Sequence, residues 1–261
     1  MGRPSMFQIT RKELIAALAA ALAALTLGAA APALADDVPV AVAANFTEPA
    51  KEIATAFAAK TGHHLVLSFG ASGQFYTQIT QGAPFQVFLS ADADRPQRIE
   101  REGLGVPGTR FTYAIGQLVL YSKTPGLVDQ AGAVLSQGPF NKIAIADPTA
   151  APYGTAAIET MTKLGVYERL TPKIVKGASI TQAYQFVDSG AAELGFVALS
   201  QVIAVQGGSR WLVPARFHAP IEQQAILLLP GANKPAALAF LKFLRSPEAL
   251  AIIKRYGYEV R

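Results

Sequence analysis

The stretch VPVAVAANFTEPAKEIATAFAAKTGHHLVLSFGASGQFYTQITQGAPFQVFLS, residues 38–90, decides the fold. Val38 to Ala44 is an apolar run of strand length. Glu48 to Lys60 carries apolar residues at helical spacing and stops at Thr61-Gly62. His64 to Phe69 reads as a second strand. Gly70-Ala71-Ser72-Gly73 then opens a helix that reaches about Gln81, and Phe85 to Ser90 reads as a third strand. Strands alternating with helices through short connections predict a parallel sheet covered on both faces.

Outward from this stretch the pattern restarts. Strands are expected at Gln117 to Ser122, Lys142 to Ala146, Pro172 to Lys176, Leu194 to Ala198 and Gln224 to Leu229. Helices are expected at Tyr153 to Leu164, Ser179 to Asp188, Lys234 to Arg245 and Pro247 to Tyr256. The strand-to-helix turns at Asn45 and Ser72 are as far apart along the chain as those at Tyr153 and Ile180. Each half therefore offers two successive helix N-termini at the carboxyl edge of a sheet, where open α/β sheets bind ligands. The expected division is one lobe from residues 36–115 and 219–261 and another from 116–218. The chain would cross between them near Ala114-Ile115-Gly116 and near Phe217-His218-Ala219.

The whole chain has 261 residues, 51% of them hydrophobic and 16% charged, which excludes a disordered or coiled-coil protein. It has no cysteine, so a disulfide scaffold, a thiolate metal site and a cysteine nucleophile are excluded. The 23 basic against 18 acidic residues give a net charge of +5, without the basic stripe a nucleic-acid binder needs. Arg3, Arg11 and Lys12 precede an almost uncharged run from Leu14 to Ala35 that ends Ala33-Leu34-Ala35, just before Asp36-Asp37. A basic start, an apolar middle and a small-residue exit describe a secretory signal peptide over residues 1–35, with export to the periplasm. A retained membrane anchor is the alternative for this run.

The four turns read AANFT (43–47), FGASG (69–73), DPTAAPYG (147–154) and GASIT (177–181). All are small and rich in hydroxyl or amide donors, none contains Lys or Arg, and only the third holds a carboxylate. A helix N-terminus leaves backbone N–H groups unpaired and carries partial positive charge. Four converging N-termini suit a small anion held by dipoles alone. The competing reading is that Ser, Thr and Asn simply cap these helices. A secreted serine hydrolase using Ser72 with Asp92 or His218 is the alternative from another class, although Gln74 breaks a Gly-x-Ser-x-Gly elbow.

Taken together, AANFTEPAKEIATAF, SFGASGQFYTQITQGAPFQVFLSAD, ADPTAAPYG, ELGFV and FLRSPEALAIIKRYGY resemble the periplasmic molybdate-binding proteins, the solute-binding components of ABC importers. The resemblance implies a two-lobed α/β fold of the type II periplasmic-binding-protein class, each lobe a mainly parallel sheet flanked by helices. It implies capture of molybdate, with tungstate as a second guest, for an ABC permease, by a monomer that is not an enzyme and needs no cofactor. The oxyanion contacts it implies fall on Asn45, Ser72, Tyr153 and Ile180, the last through its backbone amide. These would meet the metal through its oxygens, with Ala44, Ala71 and Gly154 as neighbours. In one branch a tyrosine hydroxyl follows the Gly-x-Val run. Here Gly195-Phe196-Val197 leads to Ala198, and the other branch's Asn in the first turn and Tyr in the third, here Asn45 and Tyr153, are expected to compensate. Independently, turns with almost no carboxylate favour a fully ionised oxyanion over phosphate, which retains a proton near neutral pH. Sulfate stays open as an alternative.

The remaining chemistry-bearing residues point elsewhere. His63 and His64 are adjacent on a strand and face opposite sides, so they are poorly placed to share a metal. His218 is expected at the surface, Asp92 and Asp94 in a capped loop at the lobe rim, and Phe46, Phe75 and Tyr76 in the core.

Overall fold

The computed structural model describes residues 35–260. The expected signal peptide, Ala35 apart, lies outside the described residues. In chain order the elements are β1 (Asp37–Ala43), α1 (Thr47–Thr61), β2 (His64–Gly70), α2 (Ser72–Thr80), β3 (Val87–Leu89), α3 (Asp94–Arg101), β4 (Phe111–Gly116) and β5 (Leu118–Ser122). Then come α4 (Val134–Gln137), β6 (Ile143–Ala146), α5 (Pro152–Lys163), α6 (Tyr167–Leu170), β7 (Ile174–Gly177), α7 (Ile180–Asp188), β8 (Leu194–Ala198), α8 (Leu199–Val202), β9 (Ser209–Leu212), β10 (Ile221–Leu227), α9 (Pro235–Leu244) and α10 (Pro247–Arg255).

Two five-stranded sheets result, ordered β2-β1-β3-β10-β4 and β7-β6-β8-β5-β9. In the first, β1 lies parallel to β2 and β3, whereas β10 is antiparallel to both β3 and β4. In the second, β6 lies parallel to β7 and β8, whereas β5 is antiparallel to β8 and β9. The parallel run expected from residues 38–90 is present as β2-β1-β3, and each sheet is mainly parallel with one reversed strand. Both reversed strands occupy the same place in their sheet, and each is the strand the chain enters on arriving from the other sheet. The first passage runs from β4 through Gln117 into β5, and the second from β9 through residues 213–220 into β10.

Period-two alternation explains how the first sheet is covered. Val40, Val42, Val87 and Leu89 face one side with Phe46, Phe57, Phe240 and Ile253. Ala41, Phe88 and Ile226 face the other with Phe75, Ile79 and Ile99. The second sheet buries Leu118, Leu120, Ile143, Ile145 and Phe196 in a core that also takes in Ala43, Ala44, Ala71 and Ala91 from the first sheet's turns. Apolar contact is therefore continuous from one sheet to the other.

Several elements depart from the sequence reading. Strands β4 and β9 and helix α3 were not expected. β4 runs into β5 with only Gln117 between them, and the strand expected at Gln117 to Ser122 accounts for β5 alone. β9 is four residues long and exposes Arg210 and Leu212. Helix α3, DRPQRIER, buries only Pro96 and Ile99 and so offers no apolar stripe. The strand expected from Gln224 begins at Ile221, its start disguised by Glu222-Gln223-Gln224. That expected from Phe85 shrinks to Val87–Leu89.

Candidate anion-binding site

Each site element begins where a buried strand ends at the carboxyl edge. β1 delivers Ala44 and Asn45, β2 delivers Ala71 and Ser72, β6 leads through an Asp147-anchored turn to Ala151 and Tyr153, and β7 leads to Ile180. Asp147 organises the third turn, its Oδ1 accepting from the Thr149 amide at 3.0 Å and from Thr149 Oγ1 at 2.9 Å. These hydrogen bonds hold its carboxyl below the ordinary aspartate range.

The four turns meet around one small cavity. It is lined by Ala43, Ala44, Asn45, Gly70, Ala71, Ser72, Ala91, Ala151, Pro152, Tyr153 and Ile180. The space gives the centre of a water-sized sphere only about 10 Å³, close to the minimum for holding a single water molecule. The structure brings Asn45, Ser72, Tyr153, Ile180, Ala44 and Ala71 together on this wall. Gly154 stays behind it, where a Cβ would collide with the Ala146 carbonyl and lie 2.9 Å from the Pro148 nitrogen.

The helix starts decide between capping and binding. α2 begins after Ala71 and α5 after Ala151, and neither residue has a side chain able to cap. The turn after β1 likewise begins after Ala43 and has no side-chain cap. Only the fourth turn is capped conventionally, by Ser179 Oγ accepting from the Gln182 amide at 3.4 Å. In three of four turns no N-cap side chain takes the first helical N–H groups beside the cavity, although at α2 Gln74 Oε1 accepts from the Ala71 N–H at 3.2 Å. Ser72 Oγ accepts from the Ala91 amide at 2.9 Å, which leaves the hydroxyl hydrogen to donate.

No Lys, Arg, Asp, Glu or His lines the cavity. Arg95 stands at the rim. Its guanidinium pairs with Asp92 and also donates to the Thr149 carbonyl at 3.0 Å. The edges of the two sheets are joined directly around the cavity. Gly73 N–H donates to the Ala150 carbonyl at 2.9 Å, and Ser200 Oγ donates to the Asn45 carbonyl at 2.8 Å.

Two side chains do something other than expected. Asn45 Nδ2 spends its hydrogens on Gln223 Oε1 at 2.8 Å and on Tyr258 Oη at 3.0 Å. Tyr153 Oη accepts from Gln223 Nε2 at 3.3 Å. The same hydroxyl is also hydrogen-bonded to Tyr258, so the amide and hydroxyl expected to replace the donor missing at Ala198 are engaged inside the protein. What Asn45 and Tyr153 present to the cavity is their backbone turn. Burial drives the Tyr153 and Tyr113 hydroxyls well above the usual tyrosine range and Tyr258 to about 12, so all three remain neutral. Gln223, Tyr258, Ser200 and Tyr113 were not singled out from the sequence. The signal was present in the polar Glu222-Gln223-Gln224 heading an otherwise apolar strand.

The hydrolase constellation does not assemble. Ser72 takes its hydrogen bond from a backbone amide, and Asp92 is committed to Arg95 and to Ser90 Oγ at 3.1 Å. His218, expected at the surface, is 7% exposed and its Nδ1 lies 2.7 Å from the Ala219 carbonyl oxygen. Packing of the second passage between the sheets buries it. Asp92 accepts from the Arg95 amide at 3.0 Å at the start of α3, so the expected capped loop becomes a helix start. His63 Nδ1 accepts from the Asp36 amide at 3.2 Å. Among the described residues no group of three or more His, Asp or Glu is arranged to hold a metal ion.

Residues 38–259 match the family model described as bacterial extracellular solute-binding protein. The chain is 60% identical to the molybdate-binding protein ModA of Rhodobacter capsulatus, over 90% of this chain and 93% of that one. It is 51% identical to ModA of Azotobacter vinelandii, over 97% and 98% of the two chains. The solved periplasmic molybdate-binding protein of Azotobacter vinelandii matches the fold with a TM-score of 0.83 at 44% identity, covering 86% of this chain and 99% of that one. With turns from both sheets closing on one uncharged cavity and a likeness that runs through both sheets, this chain belongs to the bacterial extracellular solute-binding proteins, among the molybdate-binding proteins.

Proposed function

We propose that this protein captures molybdate, and tungstate as a second guest, in the periplasm and hands it as a monomer to the permease of an ABC importer. The observation that carries the reading is the cavity wall, in which three turns without an N-cap side chain and the Ser72 hydroxyl converge with no ionisable group of either sign except the neutral Tyr153. A doubly charged guest needs donors and no acceptor, and each hydrogen bond to a charged oxygen is worth roughly 1.5–3 kcal/mol. Asn45, Ser72, Tyr153 and Ile180, flanked by Ala44 and Ala71, supply those donors. All but Ser72 act through the backbone.

Capture proceeds by closure. One lobe comprises residues 36–115 and 219–261, the other 116–218, and each contributes two turns. An anion bound to one pair of turns completes its hydrogen bonds only when the second pair arrives, so the closed form is selected by differential binding. No bond is made or broken. The high identity to molybdate-binding relatives supports molybdate over sulfate, and a near-carboxylate-free site disfavours phosphate.

Titration calorimetry of the purified protein with molybdate, tungstate, sulfate and phosphate tests the reading. Tight binding of the first two, and weak or absent heat with the last two, is expected. No heat with molybdate overturns it, and sulfate binding as tight as molybdate reassigns the guest.

A further inference from the structure

Gln223 is entirely buried on the reversed strand β10 and sits where that strand breaks register. It pairs with Ala114 and Gln224 with Thr112, so Tyr113 of β4 is the extra, bulged residue opposite the two glutamines. Strand β10 itself keeps its alternation, which sends Gln223 and Gln224 to opposite faces. Here the Gln223 amide points into the space between the two sheets, while Gln224 turns to Arg110 Nη1 at 2.7 Å and Thr112 Oγ1 at 3.2 Å.

Both ends of the amide are used, and by different halves of the molecule. Oε1 accepts from Asn45 Nδ2 at 2.8 Å and from Tyr113 Oη at 3.0 Å, both in the first half. Nε2 donates to Tyr153 Oη at 3.3 Å, in the second. Asn45 and Tyr153 stand in the first and third turns of the anion cavity. Asn45 is further fixed by Tyr258, whose hydroxyl lies 2.7 Å from the Asn45 carbonyl oxygen and 3.0 Å from Ser200 Oγ.

We propose that Gln223, which does not line the cavity, is a positioning residue for oxyanion capture: its single primary amide holds the Asn45 turn in place and joins it to the Tyr153 turn of the opposite half when the halves meet. The proposal rests on the reading of the cavity as the oxyanion site. It assigns the two sides of the amide different jobs. The oxygen orders the first half whether or not the protein is closed, and the nitrogen contributes only on closure. A neutral hydrogen bond formed only in the closed state strengthens binding about two- to tenfold, mainly by slowing release.

The test is a double-mutant cycle on the full mature chain, with molybdate as probe and dissociation rate, affinity and ligand-free melting temperature as readouts. Gln223→Met removes both jobs, so it is expected to lower ligand-free stability and to speed molybdate release. Tyr153→Phe keeps the backbone of the third turn and loses the contacts its hydroxyl makes between the halves, with Gln223 and with Tyr258. It is expected to speed release about two- to tenfold while leaving the ligand-free melting temperature within a degree or two. In the Tyr153→Phe background, Gln223→Met should then add less to the release rate than it does alone. Unchanged release from Tyr153→Phe, or fully additive effects, overturns the role of Gln223 while wild-type binding stands. Failure of the wild type to bind molybdate overturns the cavity reading and this proposal with it.

Discussion

The backbone N–H of Gly73 donates to the carbonyl oxygen of Ala150 at 2.9 Å, joining the second and third turns across the cavity mouth. The approach is close enough that a Cβ on Gly73 would lie 2.9 Å from the Ala150 Cα and 3.1 Å from its carbonyl oxygen. The obstacle is backbone, which has no rotamer to yield. A glycine in the first turn of α2 is therefore a requirement of the partner sheet rather than of the helix.

Gly73→Ala separates these two accounts. Judged by helix propensity alone, alanine improves α2 by up to about 1 kcal/mol. Judged by the contact with Ala150, the added methyl holds the two halves apart at an overpacking cost of about 1–3 kcal/mol, paid only in the closed form. The expected outcome is molybdate affinity reduced roughly five- to a hundred-and-fifty-fold, with ligand-free thermal stability unchanged or raised. Calorimetry paired with a melting curve reads both, and unimpaired binding would show that closure does not bring Gly73 against Ala150.

Ser72→Ala acts on two partners at once. It removes the hydroxyl donor offered to the anion and strands the buried Ala91 amide that Ser72 Oγ accepts at 2.9 Å. Loss of one hydrogen bond to a charged guest is worth roughly 1.5–3 kcal/mol, a ten- to hundredfold drop in affinity, and the stranded amide costs about 1–3 kcal/mol of stability. A stability loss without an affinity loss would confine Ser72 to the Ala91 contact.

How much of this was legible in the sequence follows from what fixes each feature. Strands buried on both faces, such as Val40–Val42 and Ile143–Ala146, announce themselves by apolar runs, and the turns that follow them locate Asn45, Ser72, Tyr153 and Ile180 on one wall. The reversed strands do not announce themselves, because direction is set by the passage between sheets and not by any local pattern. Nor does the destination of a polar side chain. Asn45 and Tyr153 look like ligand donors when only their own turns are considered. Their true partners, Gln223 and Tyr258, lie 178 and 213 residues from Asn45, at the far end of the chain. Glu222-Gln223-Gln224 heading an apolar strand was the one available hint, and only the folded partners of Gln223 give it a direction.

The buried tyrosines set an alkaline limit. Burial raises Tyr113 and Tyr153 well above the usual value near 10 and takes Tyr258 to about 12. A group whose folded-state pKa is raised contributes stability that is whole below its unfolded pKa and is lost as pH climbs towards the folded value. The melting temperature should therefore be insensitive to these groups below about pH 10 and fall steeply above it. Tyrosinate absorbance should lag behind that of the exposed tyrosines until unfolding. Tyr258→Phe should flatten the alkaline fall, and a tyrosine signal that titrates completely near pH 10 in folded protein would contradict the burial of all three.

Gly116, the last residue of β4 before the first passage, tests the meeting of the two halves from the other side. A Cβ there would collide with Tyr153 Oη and come within 2.7 Å of Gln223 Nε2. Gly116→Ala must therefore push apart the two atoms whose hydrogen bond joins the halves. The expected result is molybdate affinity weakened about two- to tenfold, the range of one neutral hydrogen bond. The decisive comparison is made in the Tyr153→Phe background. There the colliding oxygen is gone and so is the bond it made, so the same alanine should cost markedly less. An equal cost in both backgrounds would trace the effect to the backbone of the passage itself, and the contact between Gly116 and Tyr153 would then have no part in closure.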